Sequence, residues 1–136
     1  MPASTSVLLI EDNVLLRDVM ALALDSAGYV ATPSSGAAAS RMAQTLRPAI
    51  ILLDLGLPDV DGTEVCRRLR ADERTATIPI VAITGSILAD RGRFDDVLAK
   101  PFSMQALLHK VHKWTSAPDA RAGTAVSSQA LSAACR

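Results

Sequence analysis

Five polar side chains each follow a short apolar run. Glu11 and Asp12 follow Val7 to Ile10, Asp54 follows Ile50 to Leu53, Thr84 follows Ile78 to Ile83, and Lys100 follows Val97 to Ala99. Singly they say little, because an Asp after a strand is most often a helix cap or a turn residue. As a set they can do chemistry. Three carboxylates brought together repel one another and call for a cation. Oxygen-only ligands with room for water suit Mg²⁺, with Mn²⁺ a substitute, better than zinc or copper. A hydroxyl and an ammonium at the same place suit the oxygens of a phosphoryl group. The combination points to phosphoryl chemistry supported by a divalent cation.

For residues so far apart in the chain to meet, the runs before them must lie side by side and point the same way. In an open α/β sheet, ligands bind beyond the carboxyl ends of parallel strands, near the point where strand order reverses. A fifth run, Tyr29 to Ala31, completes the set, and helical patterns fill the intervals. The runs at 50 to 53 and 78 to 83 are continuous rather than alternating, as in central strands covered on both faces. Asn13 can cap a first helix that stops at Gly28; its Leu15, Val19 and Leu22 share one face, the apolar stripe expected of an amphipathic helix. A second helix is expected from about Ser35 to Leu46, ended by Pro48. A third follows Asp61 and Gly62, with Val65 and Leu69 one turn apart. Ser103, after Pro101, can cap a last helix with Leu107, Val111 and Trp114 on one side. Asp59 and Asp61, with Pro58 and Gly62, read as turn and cap residues rather than metal ligands.

The 136 residues suffice for one domain with a real core but not for two. With 14 basic and 14 acidic side chains, the charge balance gives no reason to expect a nucleic-acid or membrane-surface partner. No apolar run approaches a membrane span, and the first residues lack the basic region of a signal peptide. Cys66 and Cys135 form neither a metal spacing nor a disulfide framework, in keeping with a reducing cytoplasm. Cys66 reads as a packing residue and Cys135 as merely exposed. His109 and His112 read as solvated residues of the last helix. Arg67, Arg68 and Arg70 read as an exposed basic face that could serve for docking. From Ser116 the composition turns to Ala, Ser, Gly and Thr. The expected organisation is therefore a domain at 1–116 and a mobile tail at 117–136, too short to form a DNA-binding or enzymatic unit.

The segments LLIEDN, LLDLGLPDVDG, VAITG and LAKPF, in that order, resemble the receiver domain of response regulators in two-component signalling. The resemblance implies a flavodoxin-like fold, with a five-stranded parallel sheet in the order 2-1-3-4-5 and helices on both faces. It implies that Asp54 is the phosphoacceptor, attacking the phosphorus of a phosphohistidine on a sensor histidine kinase or a histidine phosphotransfer protein. Asp12 and Asp54 would bind Mg²⁺ directly, with the Gly56 carbonyl as a third ligand and Glu11 acting largely through water. Thr84 would hydrogen-bond a phosphoryl oxygen, Lys100 would place its ammonium against the phosphoryl group, and the Lys100–Pro101 peptide would be cis. A receiver is not an enzyme with turnover; it promotes only its own phosphorylation and dephosphorylation. The expectation is a stand-alone cytoplasmic receiver, monomeric or weakly dimeric, acting on an unknown downstream protein as a phosphorelay shuttle, a phosphate sink or a modulator.

Two features depart from the family. Thr84 and Lys100 are 16 residues apart, shorter than usual by more than a helical turn, so the family's fourth helix is expected to be short, irregular or absent. Val97 stands three residues before Lys100, where most receivers carry the aromatic ring that swings inward on activation. PIVAITGS resembles a subgroup with a Phe-Ala-Thr-Gly type motif and a reduced fourth helix, although Ile80, Ala82 and Ile83 depart from its aromatic positions. Together these predict a switch in which phosphorylation orders or shifts the loop from Gly85 to Arg93. Three other readings fit the residues less well. A haloacid-dehalogenase-type phosphatase needs a second Asp two residues after the nucleophile, where this chain has Gly56. A dinucleotide-binding domain needs a glycine-rich turn after the first strand, where this chain reads IEDN. A receiver-fold scaffold acting without phosphorylation would leave a complete five-residue site without a use.

Overall fold

The computed structural model describes residues 5–85 and 93–116. Its strands are β1 (Thr5–Ile10), β2 (Tyr29–Ser34), β3 (Ile50–Asp54), β4 (Ile80–Thr84) and β5 (Asp96–Ala99). Its described helices are α1 (Val14–Ser26), α2 (Ala39–Leu46), α3 (Gly62–Ala71) and α4 (Met104–Thr115). The strands pair in parallel in the order β2-β1-β3-β4-β5, the flavodoxin-like receiver arrangement. Strand order reverses between β1 and β3, which opens a crevice at their carboxyl ends.

The apolar runs form central strands because both of their faces are covered. Val7, Leu9, Ile50, Leu52, Val81 and Ile83 pack beneath α1 and α4, against Met20, Leu24, Leu107 and Val111. The alternate residues Leu8, Ile10, Ile51, Leu53, Ile80 and Ala82 face α2 and α3, against Ala43, Val65 and Leu69. Each large side chain buried this way contributes about 1.5–3 kcal/mol before the entropy of ordering it is subtracted.

Capping residues fix three of the helices. Asn13 Oδ1 accepts the Leu16 N–H at 3.0 Å, Asp61 Oδ1 the Thr63 N–H at 2.9 Å, and Ser103 Oγ the Ala106 N–H at 3.0 Å. Gly28 follows α1 at φ +94°, a conformation that favours glycine. Helix α2 begins at Ala39, later than the Ser35 expected from sequence. Ser35 does accept the Ala38 N–H at 3.1 Å, but it closes a turn there, and a run of alanines cannot mark which of them starts the helix.

The stripe of Leu15, Val19 and Leu22 is not the face that meets the sheet. Met20 and Leu24 are buried, whereas Leu15 is 75%, Val19 43% and Leu22 68% exposed. Helix α1 carries two apolar stripes of the same period, and periodicity alone does not say which one packs.

Among the described residues no helix separates β4 from β5. Residues 86–92 lie outside the described set, and with them most of the segment expected to switch; the expected tail at 117–136 lies outside as well. Val97 aligns with Ala82 and packs against the core on the α2 and α3 side. No described helix is long and apolar enough to cross a membrane.

Candidate functional site

Each residue that could do chemistry stands at the carboxyl end of a strand. Glu11 and Asp12 follow β1, Asp54 ends β3, Thr84 ends β4 and Lys100 follows β5. Parallel register brings these ends to one rim: Ile10 aligns with Leu53, Asp54 with Ile83, and Thr84 with Ala99. One carboxylate oxygen from each of Glu11, Asp12 and Asp54 lies within 4.8 Å of the others. Glu11, Asp54 and Thr84 are buried, while Asp12 is exposed at the mouth.

The only described ammonium within 4 Å of these carboxylates belongs to Lys100, whose Nζ stands 3.5 Å from Asp54 Oδ2 and 3.6 Å from Glu11 Oε1. Both separations exceed the 2.7–2.9 Å, roughly, of a strong charge-assisted hydrogen bond. Glu11 Oε2 accepts the Asn13 N–H at 3.1 Å, yet its buried Oε1 has no hydrogen-bond partner. Burial pushes the Glu11 carboxyl above its ordinary range, and the Asp54 charge adds to that; the Asn13 N–H and the Lys100 ammonium oppose it. An orphaned buried oxygen among three converging carboxylates fits a hard dication with oxygen ligands.

The loop after β3 is held close to Asp54. The Gly56 N–H donates to Asp54 Oδ1 at 2.9 Å, which sets the Gly56 peptide beside the carboxylate. Gly62 allows the return of the loop, because a Cβ there would lie 2.7 Å from Leu55 Cα and 3.0 Å from the Asp54 carbonyl. Asp61 caps α3 and Asp59 is exposed, so neither joins the carboxylate group. The Thr84 carbonyl accepts the Lys100 N–H at 2.8 Å, tying the two ends of the rim together. The Lys100–Pro101 peptide is cis.

Other expectations divide. Arg67 and Arg68 are exposed and pair with Glu64 at 2.7 and 3.0 Å, drawing its carboxyl down to about 2. Arg70, expected on the same exposed face, turns inward instead and pairs with Asp95 at 2.7 Å. The sequence shows three arginines near one another but not that position 70 falls over the start of β5, 25 residues on. Cys66 is buried with Sγ 3.3 Å from the Arg93 carbonyl, and burial pushes its thiol up, as for a packing residue. His109 and His112 are exposed on α4. Cys135 lies outside the described residues.

The response-regulator receiver domain matches residues 7–112, and the chain belongs to that family. Over 112 residues it is 41% identical to the DNA-binding dual master transcriptional regulator RpaA of a Synechocystis species, covering 77% of this chain and 46% of that protein. Over 109 residues it is 37% identical to the transcriptional regulatory protein AfsQ1 of Streptomyces coelicolor, covering 75% and 47%. The chain thus spans about half the length of these curated relatives. Among solved structures it resembles the receiver domain of a sensor histidine kinase from Pseudomonas aeruginosa, with 34% identity and a TM-score of 0.77. That match covers 84% of this chain and 99% of the other, whose active-site cleft holds a coordinated magnesium ion.

Proposed function

We propose that this receiver accepts a phosphoryl group on Asp54 from a phosphohistidine of a sensor histidine kinase or a histidine phosphotransfer protein. The observation that carries the reading is the buried Asp54 carboxylate, converging with Glu11 and Asp12 and 3.5 Å from the Lys100 ammonium. An Asp54 oxygen attacks phosphorus, the P–N bond breaks, and the imidazole leaves with its electron pair. Asp12, Asp54 and the Gly56 carbonyl would hold Mg²⁺, with Glu11 acting through water. When bound, the ion neutralises the carboxylates and the charge on the transferring phosphoryl group. Lys100 meets one phosphoryl oxygen and the Thr84 hydroxyl another. Positioning and charge neutralisation are most of what this transfer asks of a protein.

The exposed stripe of α1 supports a protein donor. Four of the five large apolar side chains exposed among the described residues are Val14, Leu15, Val19 and Leu22. The stripe begins within one turn of Asp12, so a helix docked along it would bring a histidine to the rim. Turnover of free phosphate esters is not part of this reading, and a cytoplasmic setting is. Action as a stand-alone protein through protein contacts alone, as a phosphorelay shuttle, a phosphate sink or a modulator, is also proposed; the relatives named above are regulators of transcription about twice as long, and the mass of the native gene product tests it.

The acceptor is tested by incubating the chain with Mg²⁺ and acetyl phosphate and recording intact mass. The expected result is one labile phosphate adduct on the wild type and none on Asp54→Asn. An unmodified wild type contradicts the proposal.

A further inference from the structure

Strand β5 carries Lys100 at its end and has little to hold it. It is four residues long, lies at the edge of the sheet, and pairs with β4 alone. Two adjacent aspartates stand at its foot, and successive strand side chains point to opposite faces.

Asp95 turns toward α3. Its Oδ2 accepts from Arg70 Nη2 at 2.7 Å and from the Ile80 N–H at 2.8 Å. Arg70 directs its other donors to the carbonyls of Ala76 and Ile78, at 2.9 and 2.8 Å, and of Arg93, at 3.2 Å. One guanidinium therefore ties the end of α3, the approach to β4 and the approach to β5. Asp96 turns the other way. Its Oδ1 accepts from Lys110 Nζ at 2.8 Å and its Oδ2 from Trp114 Nε1 at 2.9 Å, both on α4. The foot of β5 is thus fastened on each face by charge-assisted hydrogen bonds to the helix that covers that face.

We propose that Arg70 with Asp95, and Lys110 with Asp96, are positioning residues that hold β5 between α3 and α4 and thereby set the place of the Lys100 ammonium. The inference rests on Asp54 as the phosphoacceptor. Lys100 Nζ stands too far from Glu11 and Asp54 to be fixed by them, so its place comes from the backbone beneath it. A short strand loosened at its foot swings at its far end. A misplacement of about 1 Å in a reacting group can cost about 100-fold in rate. Ties on opposite faces resist both rotation and sideways displacement of the strand.

The test uses the full chain, Mg²⁺ and acetyl phosphate. Arg70→Met, and separately Asp96→Asn combined with Lys110→Met, are expected to slow labelling of Asp54 about tenfold. Mg²⁺ affinity, read by calorimetry, should not change, because none of these residues belongs to the carboxylate group. Arg70→Lys, which keeps the ion pair, should recover most of the rate. In a Lys100→Met background Arg70→Met should cost nothing further, since residues acting through one group are not additive. A merely structural role would lower both backgrounds alike. Wild-type rates in both foot variants, or an additive loss in the Lys100→Met background, overturn the inference. If Arg70→Met does not fold, the pair on the other face and Arg70→Lys decide. An unlabelled wild type removes the Asp54 reading and this inference with it, whereas a labelled wild type with equally fast variants removes this inference alone.

Discussion

The rim of the sheet and the foot of β5 both place carboxylates beside cations, and they do so in opposite ways. At the foot, Asp95 and Asp96 meet Arg70, Lys110 and Trp114 at 2.7–2.9 Å. At the rim, Glu11, Asp12 and Asp54 crowd together, Lys100 stands back at 3.5 and 3.6 Å, and Glu11 Oε1 is buried without a hydrogen bond. The proton affinities follow the same division. Burial and the neighbouring Asp54 raise Glu11. Burial also acts upward on Asp96, but hydrogen bonds from Lys110, Trp114 and the Val97 N–H outweigh it and hold the carboxyl at about 2. Completed polar contacts mark where the chain is being held in place. Incomplete ones mark where it is prepared for something else to bind.

That contrast can be broken at either end. The largest effect is expected at Lys100: Lys100→Met should slow labelling of Asp54 by about 100-fold or more, with little loss of stability. A large drop in the urea midpoint with an unchanged labelling rate would reverse the roles assigned to rim and foot. Next comes Asp96→Asn, which should cost about 1.5–3 kcal/mol in urea unfolding, as for hydrogen bonds to a charged group. Its pH dependence has a definite sign. The folded carboxyl titrates at about 2 against an ordinary 3.8, so its contribution is complete above 3.8 and is lost as pH falls toward 2. Unfolding titrations should show wild type and variant converging over that window.

A smaller and opposite effect is expected for Glu11→Gln. With its folded carboxyl raised above 4.5, Glu11 costs stability as pH rises through and beyond that value. Without Mg²⁺ at neutral pH the variant should be more stable in urea unfolding than the wild type, and calorimetry should show weaker Mg²⁺ binding. Equal stability at pH 7 would mean that the rim is not under electrostatic strain. The smallest change in stability belongs to the outer face of α1. Leu15→Ser and Leu22→Ser should shift unfolding by no more than about 0.5 kcal/mol. Transfer from a phosphorylated histidine protein should nevertheless slow, while acetyl phosphate labels both variants at the wild-type rate.

The rim was legible in sequence because parallel strands bring their carboxyl ends together, and an Asp or Lys directly after an apolar run needs no knowledge of side-chain contacts to be placed there. The foot of β5 was not. Arg70 and Asp95 are 25 residues apart, and nothing in the local pattern links them. Asp95 stands just before β5 and Asp96 begins it, and in extended chain adjacent side chains turn to opposite faces. Helix α1 shows a related limit: Leu15, Val19 and Leu22 do share one face, but Leu16, Met20 and Leu24 form a second apolar stripe, and which of the two packs depends on the sheet beneath. The interval from Thr84 to Lys100 is short as a matter of sequence alone, but residues 86–92, where a helix between β4 and β5 would lie, fall outside the described residues.

The central claim is that Asp54 forms an acyl phosphate at the carboxylate rim, and borohydride trapping tests it most directly. Protein treated with Mg²⁺ and acetyl phosphate is reduced and digested, and the peptide spanning β3 is sequenced by mass spectrometry. Recovery of position 54 as homoserine, dependent on Mg²⁺ and suppressed in Lys100→Met, is the predicted result. Reduction at another carboxylate, or none in the fully folded wild type, contradicts it.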